Sequence, residues 1–453
     1  MCKSIILSFI NNMEKIFSKQ SMSYVIFALF FILITININQ DFKSLHEGNG
    51  IVYYSAACAH LHWGLKYTKG IDHILRKWNN KSDIELFLSP ADTITAIKQN
   101  LKKDHFQHYN HHPPGLGLTI ALFTSVFGHH YWSIRLVPIL FSLLSFWFFY
   151  LILKHLKFNL FQINLMLFFF ALFPMTTYFG RHINHEAPVL FCGLLFLYNY
   201  LHFSASKKPV YFILQFISII LGAFYGWPVF FIVGIVILSS FIRHFKADKK
   251  FWLKMLYLGI FSGILFLLVI FHLYKSDLKN VFTIFLSRAD ILEKNYGIIE
   301  WSARTISHFA FTFSNILFYF LIVIFTISLF KISYFKQLII KNKDKSMLFI
   351  ILFLWGISHV LIFRDGSYIH NYWLFYLIPS IAMISGYYIY KLYSLIKFKV
   401  IASSIMILIV GAFLFESLLT LFHLHHINYA ANFGTYVLFI NLQDILMYVK
   451  KII

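Results

Sequence analysis

Between residues 44 and 54 the chain reads SLHEGNGIVYY, which sets one carboxylate, Glu47, among histidine, asparagine and glycine just after the first apolar run. A second polar knot, TTYFGRHINHEAP, holds Arg181, His182, Asn184, His185 and Glu186. His111 and His112 precede Pro113 and Pro114, and FRDGSYIHNYW contributes Arg364, Asp365, His370, Asn371 and Trp373. A lone histidine or tryptophan at the end of an apolar run is ordinary interfacial composition. Carboxylates beside hydrocarbon are costly and are kept where they pair or do work. Glu47, Glu186, Arg181 and the histidine pairs together read as a cleft of mixed charge.

The chemistry open to such a cleft is narrow. The sequence has no nucleophile elbow, no G-x-x-x-x-G-K loop and no HExxH motif. Glycoside hydrolysis would require two carboxylates, one protonated to help a poor leaving group. A lipid phosphate leaves as an anion, so it needs positive charge or a metal and not a proton donor. One carboxylate then suffices as general base on an acceptor hydroxyl. A carboxylate with cationic donors beside a lipid headgroup is the equipment of a polyprenyl-phosphate-dependent transferase.

The elements that must position these residues are membrane helices. Of 453 residues, 59% are hydrophobic and 13% charged, against roughly 25% charged in soluble domains. Mean hydropathy is +0.70. The apolar runs are continuous and do not alternate, so helices are expected and not barrel strands. Spans are expected near 23–38, 133–153, 160–174, 187–203, 210–224, 228–242, 252–274, 309–330, 348–363, 371–390 and 400–421. The expected fold is an all-α polytopic membrane protein with about 11 (10–13) transmembrane helices. The run 115–128 is too short to cross and is expected to be interfacial. With the N-terminus inside, the lysines at 154, 157, 207, 208, 246, 249, 250, 331, 336, 341, 343, 345, 391, 397 and 399 and Arg243 fall on one side. That is the positive-inside asymmetry. It puts the polar knots together on the outer face, along with long external segments at 39–114 and 275–308. The transmembrane domain is expected over 1–430, with an amphipathic tail at 431–453. The net charge of +21 is assigned to cytoplasmic loops and anionic lipid, with no nucleic-acid partner. Cys2, Cys58 and Cys192 form no spaced framework. No cleavable leader is expected, and the first apolar run should remain as an anchor. Gly48 and Gly50 are expected to turn the backbone sharply beside Glu47.

Four stretches carry a family resemblance. They are HEGNGIVYYSAACAHLHWGLKYTKG, HHPPGLGLTIALFTSVFGHHYWSIRLVPILFSLLS, FPMTTYFGRHINHEAPVLF and HNYWLFYLIP. In this order they resemble the GT-C membrane glycosyltransferases, in the branch of protein O-mannosyltransferases and aminoarabinose transferases. The resemblance implies a GT-C-like bundle and an inverting transfer from a polyprenyl-phosphate-linked sugar to a glycan, lipid or protein acceptor. It implies a multi-pass protein of the inner or plasma membrane, with its site facing the periplasm or cell exterior. Glu47 matches the catalytic acidic position, with HE in place of the family's DE and Asp41 as the fallback. Glu186 matches a second acidic position that orients the acceptor or, with Glu47, holds a divalent cation such as Mg or Mn. His111, His112, Arg181 and His370 are implied at the donor phosphate. His46, Asn49, Tyr53, Asn184 and His185 are implied as acceptor-binding or orienting groups. The alternatives are a transporter or flippase of a lipid-linked sugar, or a polysaccharide polymerase or ligase of another fold. A transporter would place polar groups near the bilayer midplane, whereas these gather at one face. An oligosaccharyltransferase is disfavoured because WWDYG is missing.

Overall fold

In a computed structural model the described residues are 15–42, 46–75, 106–109, 112–274, 283, 286, 287, 289, 297–330 and 343–426. His111 and the tail 431–453 lie outside them, as does most of 76–105 and of 275–296. The helices are α1 (Gln20–Thr35), α2 (Gly48–Thr68), α3 (Gly115–Phe127), α4 (Tyr131–His155), α5 (Leu160–Leu172), α6 (Glu186–Ser206) and α7 (Pro209–Tyr225). They continue as α8 (Pro228–His244), α9 (Lys249–Tyr274), α10 (Ile298–Phe313), α11 (Asn315–Phe330), α12 (Lys343–Ile362), α13 (Ile378–Leu395) and α14 (Lys399–His426). Between α2 and α3, β1 (His73–Leu75) pairs antiparallel with β2 (Phe106–His108), with His73 opposite His108.

Among the described residues, six helices are long and apolar enough to cross a membrane, and two bent pairs raise the number to eight. The chain is a multi-pass integral membrane protein. The expected spans at 23–38, 210–224 and 228–242 correspond to apolar helices of 16, 17 and 17 residues. The expected span 309–330 is not continuous. It breaks at Ser314, where φ is 110° and the helix axis turns by 113°. Glu416 on α14 holds the break by accepting from the N–H groups of Asn315 (2.7 Å) and Ile316 (3.1 Å). A carboxylate at a helix N-terminus satisfies orphan donors and opposes the helix dipole. The span expected at 160–174 also bends, by 61°, where α5 gives way to Pro174–Arg181. The 13-residue helix α3 matches the run expected to be too short to cross.

Local sequence accounts for the element ends. Asn159 and Gln162 form a capping box at α5, and Pro209 and Pro228 open α7 and α8 where a missing N–H costs nothing. Helices α4 and α7 flank α6, and α5 packs against α1 and α13. Lipid is as apolar as the core, so close packing and hydrogen bonds between helices do the holding. Gly193 on α6 shows the first device. A Cβ there would stand 2.2 Å from the Trp355 ring on α12. Asn164 shows the second, accepting from Ser23 at 2.6 Å and donating to the Lys19 carbonyl at 3.1 Å.

Candidate active site

Glu47 sits at the N-terminus of α2, 4% exposed. The turn into the helix is made at His46, whose φ is 58°. Gly48 and Gly50, expected to make that turn, are the first residues of the helix itself. Gly50 instead lets Phe42 close in, since a Cβ there would lie 3.0 Å from the phenyl ring. The Glu47 carboxylate accepts from Arg135 at 2.9 Å, and Arg181 stands 3.5 Å from the same oxygen. Arg135 also donates to the carbonyls of Ile38 (2.9 Å), Gln40 and Asp41 (3.3 Å). Arg181 donates to the Ile36 carbonyl and meets His425 Nδ1 at 2.9 Å. Two guanidiniums thus stitch the turn after α1 to α4, α14 and the 178–185 loop.

A separate cluster surrounds a cavity of about 550 Å³. Its polar end is lined by Asn49, Tyr53, His112, Asn184, His185 and His370. Its other end runs between α8 and α9, past Phe230, Phe231, Ile237, Phe266 and Ile270. Gly234 and Gly263 line that groove, and a Cβ on either would meet nothing within 4 Å. The helix α9 leaves Ile260, Ile264, Leu267 and Leu268 exposed, as a lipid-facing helix does.

At the polar end, Asn184 Oδ1 accepts from the His185 backbone N–H and meets His185 Nδ1, each at 2.9 Å. An amide oxygen only accepts, so Nδ1 carries the hydrogen and Nε2 of the neutral ring carries the lone pair. Glu186 Oε1 lies 3.5 Å from that Nε2. The His112 and His185 ring centroids are 3.9 Å apart. Asn49 donates to the Tyr372 hydroxyl at 3.3 Å, and Tyr53 reaches Asn184 at 3.5 Å. The His46 ring packs 5.3 Å from His370 and 5.2 Å from Tyr372, while its carbonyl meets His182 Nε2 at 2.5 Å. Burial drives His46 well below the usual histidine range and His182 down to about 3, so both rings are neutral.

Asn49, Tyr53, His112, Asn184, His185 and His370 therefore share one cavity, with Glu186 beside it. Glu47 and Arg181 face each other in a different cluster and do not line that cavity. Among the described residues no three His, Cys, Asp or Glu side chains gather as a metal site requires. Glu47 already faces two guanidiniums, whose positive charge opposes a divalent cation at that carboxylate. Sequence reasoning missed Arg135, although a single arginine inside an apolar helix is a signal in its own right. It also missed Asp72, buried and 2.9 Å from His60, which in turn meets Thr68 at 3.0 Å.

Residues 111–274 match the profile of a family described as dolichyl-phosphate-mannose-protein mannosyltransferase. The structure is similar to the Archaeoglobus fulgidus oligosaccharyltransferase in its apo form, with TM-score 0.55, 12% identity, and coverage of 91% of this chain and 57% of that one. It is similar to Cupriavidus metallidurans ArnT bound to undecaprenyl phosphate, with TM-score 0.51, 10% identity, and coverage of 89% and 75%. The chain has the GT-C glycosyltransferase fold. An apo structure of the same ArnT gives TM-score 0.46 at 11% identity, covering 82% of this chain and 59% of that one. This GT-C chain thus spans a little under three fifths of the length of two of these three structures. No curated protein matches it significantly by sequence. The 111–274 match begins at the His111-His112-Pro113-Pro114 stretch and takes in α3 to α9 of the GT-C bundle. It therefore includes the 178–186 loop and both walls of the apolar groove.

Proposed function

We propose that this chain transfers a sugar from a polyprenyl-phosphate-linked donor to a hydroxyl acceptor at the outer face of the membrane, with inversion. The observation that carries the proposal is the two-part cavity, in which a histidine- and amide-lined end continues into an open groove between α8 and α9. A polyprenyl phosphate has the same two-part chemistry, and ArnT was solved with undecaprenyl phosphate bound. In a bilayer the tail gains nothing by leaving lipid, so the groove selects it by shape and contact. Gly234 and Gly263 keep the groove deep.

His112, His370 and Asn49 line the polar end, and in this reading the two histidines hold the donor phosphate through ring N–H groups. Tyr53, Tyr109, Tyr372 and Trp373 offer ring faces and hydroxyls to a sugar. Anchoring the tail and headgroup together fixes the anomeric carbon, which is the larger part of catalysis when the leaving group is already an anion. Arg181 serves at a distance by holding the 178–185 loop, since its hydrogen bonds go to Ile36, Glu47 and His425.

The test is native mass spectrometry of purified protein, followed by transfer assays in membranes with undecaprenyl-phosphate-linked hexoses and aminoarabinose. A bound polyprenyl phosphate or its glycoside is expected in the wild type, and Gly263→Leu should lose it by filling the groove. Ordinary phospholipid alone, with no transfer from any donor, would overturn the reading in favour of a carrier.

A further inference from the structure

We propose that His185, and not a carboxylate, takes the acceptor's proton, an inference that rests on the glycosyl-transfer reading above. His185 lines the polar end of the cavity. The Asn184 amide oxygen engages both its backbone N–H and its Nδ1 at 2.9 Å, which leaves the lone pair on Nε2. Glu186 stands 3.5 Å from that nitrogen, where a carboxylate stabilises an imidazolium or receives its proton. This is the arrangement a histidine base requires: one nitrogen oriented by a hydrogen bond, the other beside the reacting group.

The ring is also fixed in space. His112 lies 3.9 Å away, centroid to centroid. Gly226 closes on the ring as well, since a Cβ at Gly226 would stand 2.9 Å from His185 Cδ2. Glu47 offers no comparable access. One of its oxygens is shared by Arg135 at 2.9 Å and Arg181 at 3.5 Å, and it is absent from the cavity wall. Glu47 is therefore a positioning residue that ties the loop carrying Asn184 and His185 to the end of α1.

The step balances without a co-reactant. The acceptor oxygen bonds to the anomeric carbon while its proton passes to His185 Nε2. The bond from that carbon to the phosphate oxygen breaks, and its electron pair leaves with polyprenyl phosphate. The proton then leaves the imidazolium by way of Glu186 for water. Donor and alcohol give glycoside and polyprenyl phosphate, with one proton released.

His185→Gln should lower kcat at least 100-fold, while KM for the donor and co-purified polyprenyl phosphate stay as in the wild type. His185→Gly should regain transfer when imidazole is added, and across substituted imidazoles the regained rate should rise with their basicity. A merely structural histidine would not produce that dependence on base strength. His185→Gln with a kcat within threefold of wild type would overturn the inference. So would a His185→Gly variant that binds donor normally but ignores imidazole. If the wild type itself transfers from none of the undecaprenyl-phosphate-linked sugars, the glycosyl-transfer reading falls, and this one falls with it.

Discussion

Glu47 and Glu186 are equally hidden, 4% and 3% exposed, yet they are employed in opposite ways. Glu47 is surrounded by positive charge and by the backbone it organises. Arg135, Arg181, Ile36, Ile38 and Gln40 all belong to one network that closes the end of α1. Among the described residues, no guanidinium pairs with Glu186. Its neighbour is a histidine at a cavity, 3.5 Å away. A carboxylate with two guanidiniums on one oxygen is held in place by them. A carboxylate beside a single neutral imidazole can exchange a proton with it. Burial alone did not distinguish the two, and their partners do.

The sharpest way to break this contrast is to remove Glu47. Glu47→Ala leaves two buried guanidiniums without their carboxylate and should cost about 3–5 kcal/mol of stability. It should appear as a lower unfolding temperature in detergent and a poor yield of folded protein. A Glu47→Ala protein of wild-type stability would remove the structural role given to the arginine pair. Asp72 is a third buried carboxylate, 2.9 Å from His60, and burial pushes it up to about 6. Its folded form binds the proton more tightly than its unfolded form. Stability is therefore fully present below about pH 4 and lost as the pH rises toward about 6, by up to about 3 kcal/mol. Comparing unfolding temperatures of wild type and Asp72→Asn across that window should isolate the slope, which the variant lacks.

Smaller effects probe the cavity side. Glu186→Gln keeps shape and removes the carboxyl group that exchanges a proton with the imidazole. Transfer should fall about 10- to 100-fold, with stability unchanged within about 1 kcal/mol. If Glu186→Gln instead unfolds the protein as Glu47→Ala does, the two glutamates are alike after all. Gly226→Ala should push the His185 ring aside and lower kcat about tenfold, with donor retention intact. Steady-state kinetics beside native mass spectrometry would read both quantities.

How much of this was legible beforehand differs between scaffold and site. The polar knots at 44–54, 178–186 and 364–373 were visible because charged and amide groups interrupt apolar runs. The cavity does join Asn49, Asn184, His185 and His370 from all three. The division of labour within them was not visible. Glu47 was expected as the base because it matches the catalytic acidic position of the family the sequence resembles. The arginine that neutralises it is 88 positions further along the chain. The apolar groove was hidden for a related reason, since Gly234 and Gly263 look unremarkable until α8 and α9 lie side by side. The break at Ser314 was missed because hydropathy runs straight through it, while Glu416 on another helix caps the new N-terminus.

The sequence by itself determined that this chain lives in a membrane, built of helices with polar groups gathered near their ends. It did so because hydropathy and charge placement are local properties that the bilayer reads segment by segment. Only the tertiary structure decided which carboxylate is tied to arginine and which faces a histidine. A proton acceptor is defined by what lies within about 4 Å of it, and here those neighbours come from helices far apart in the chain.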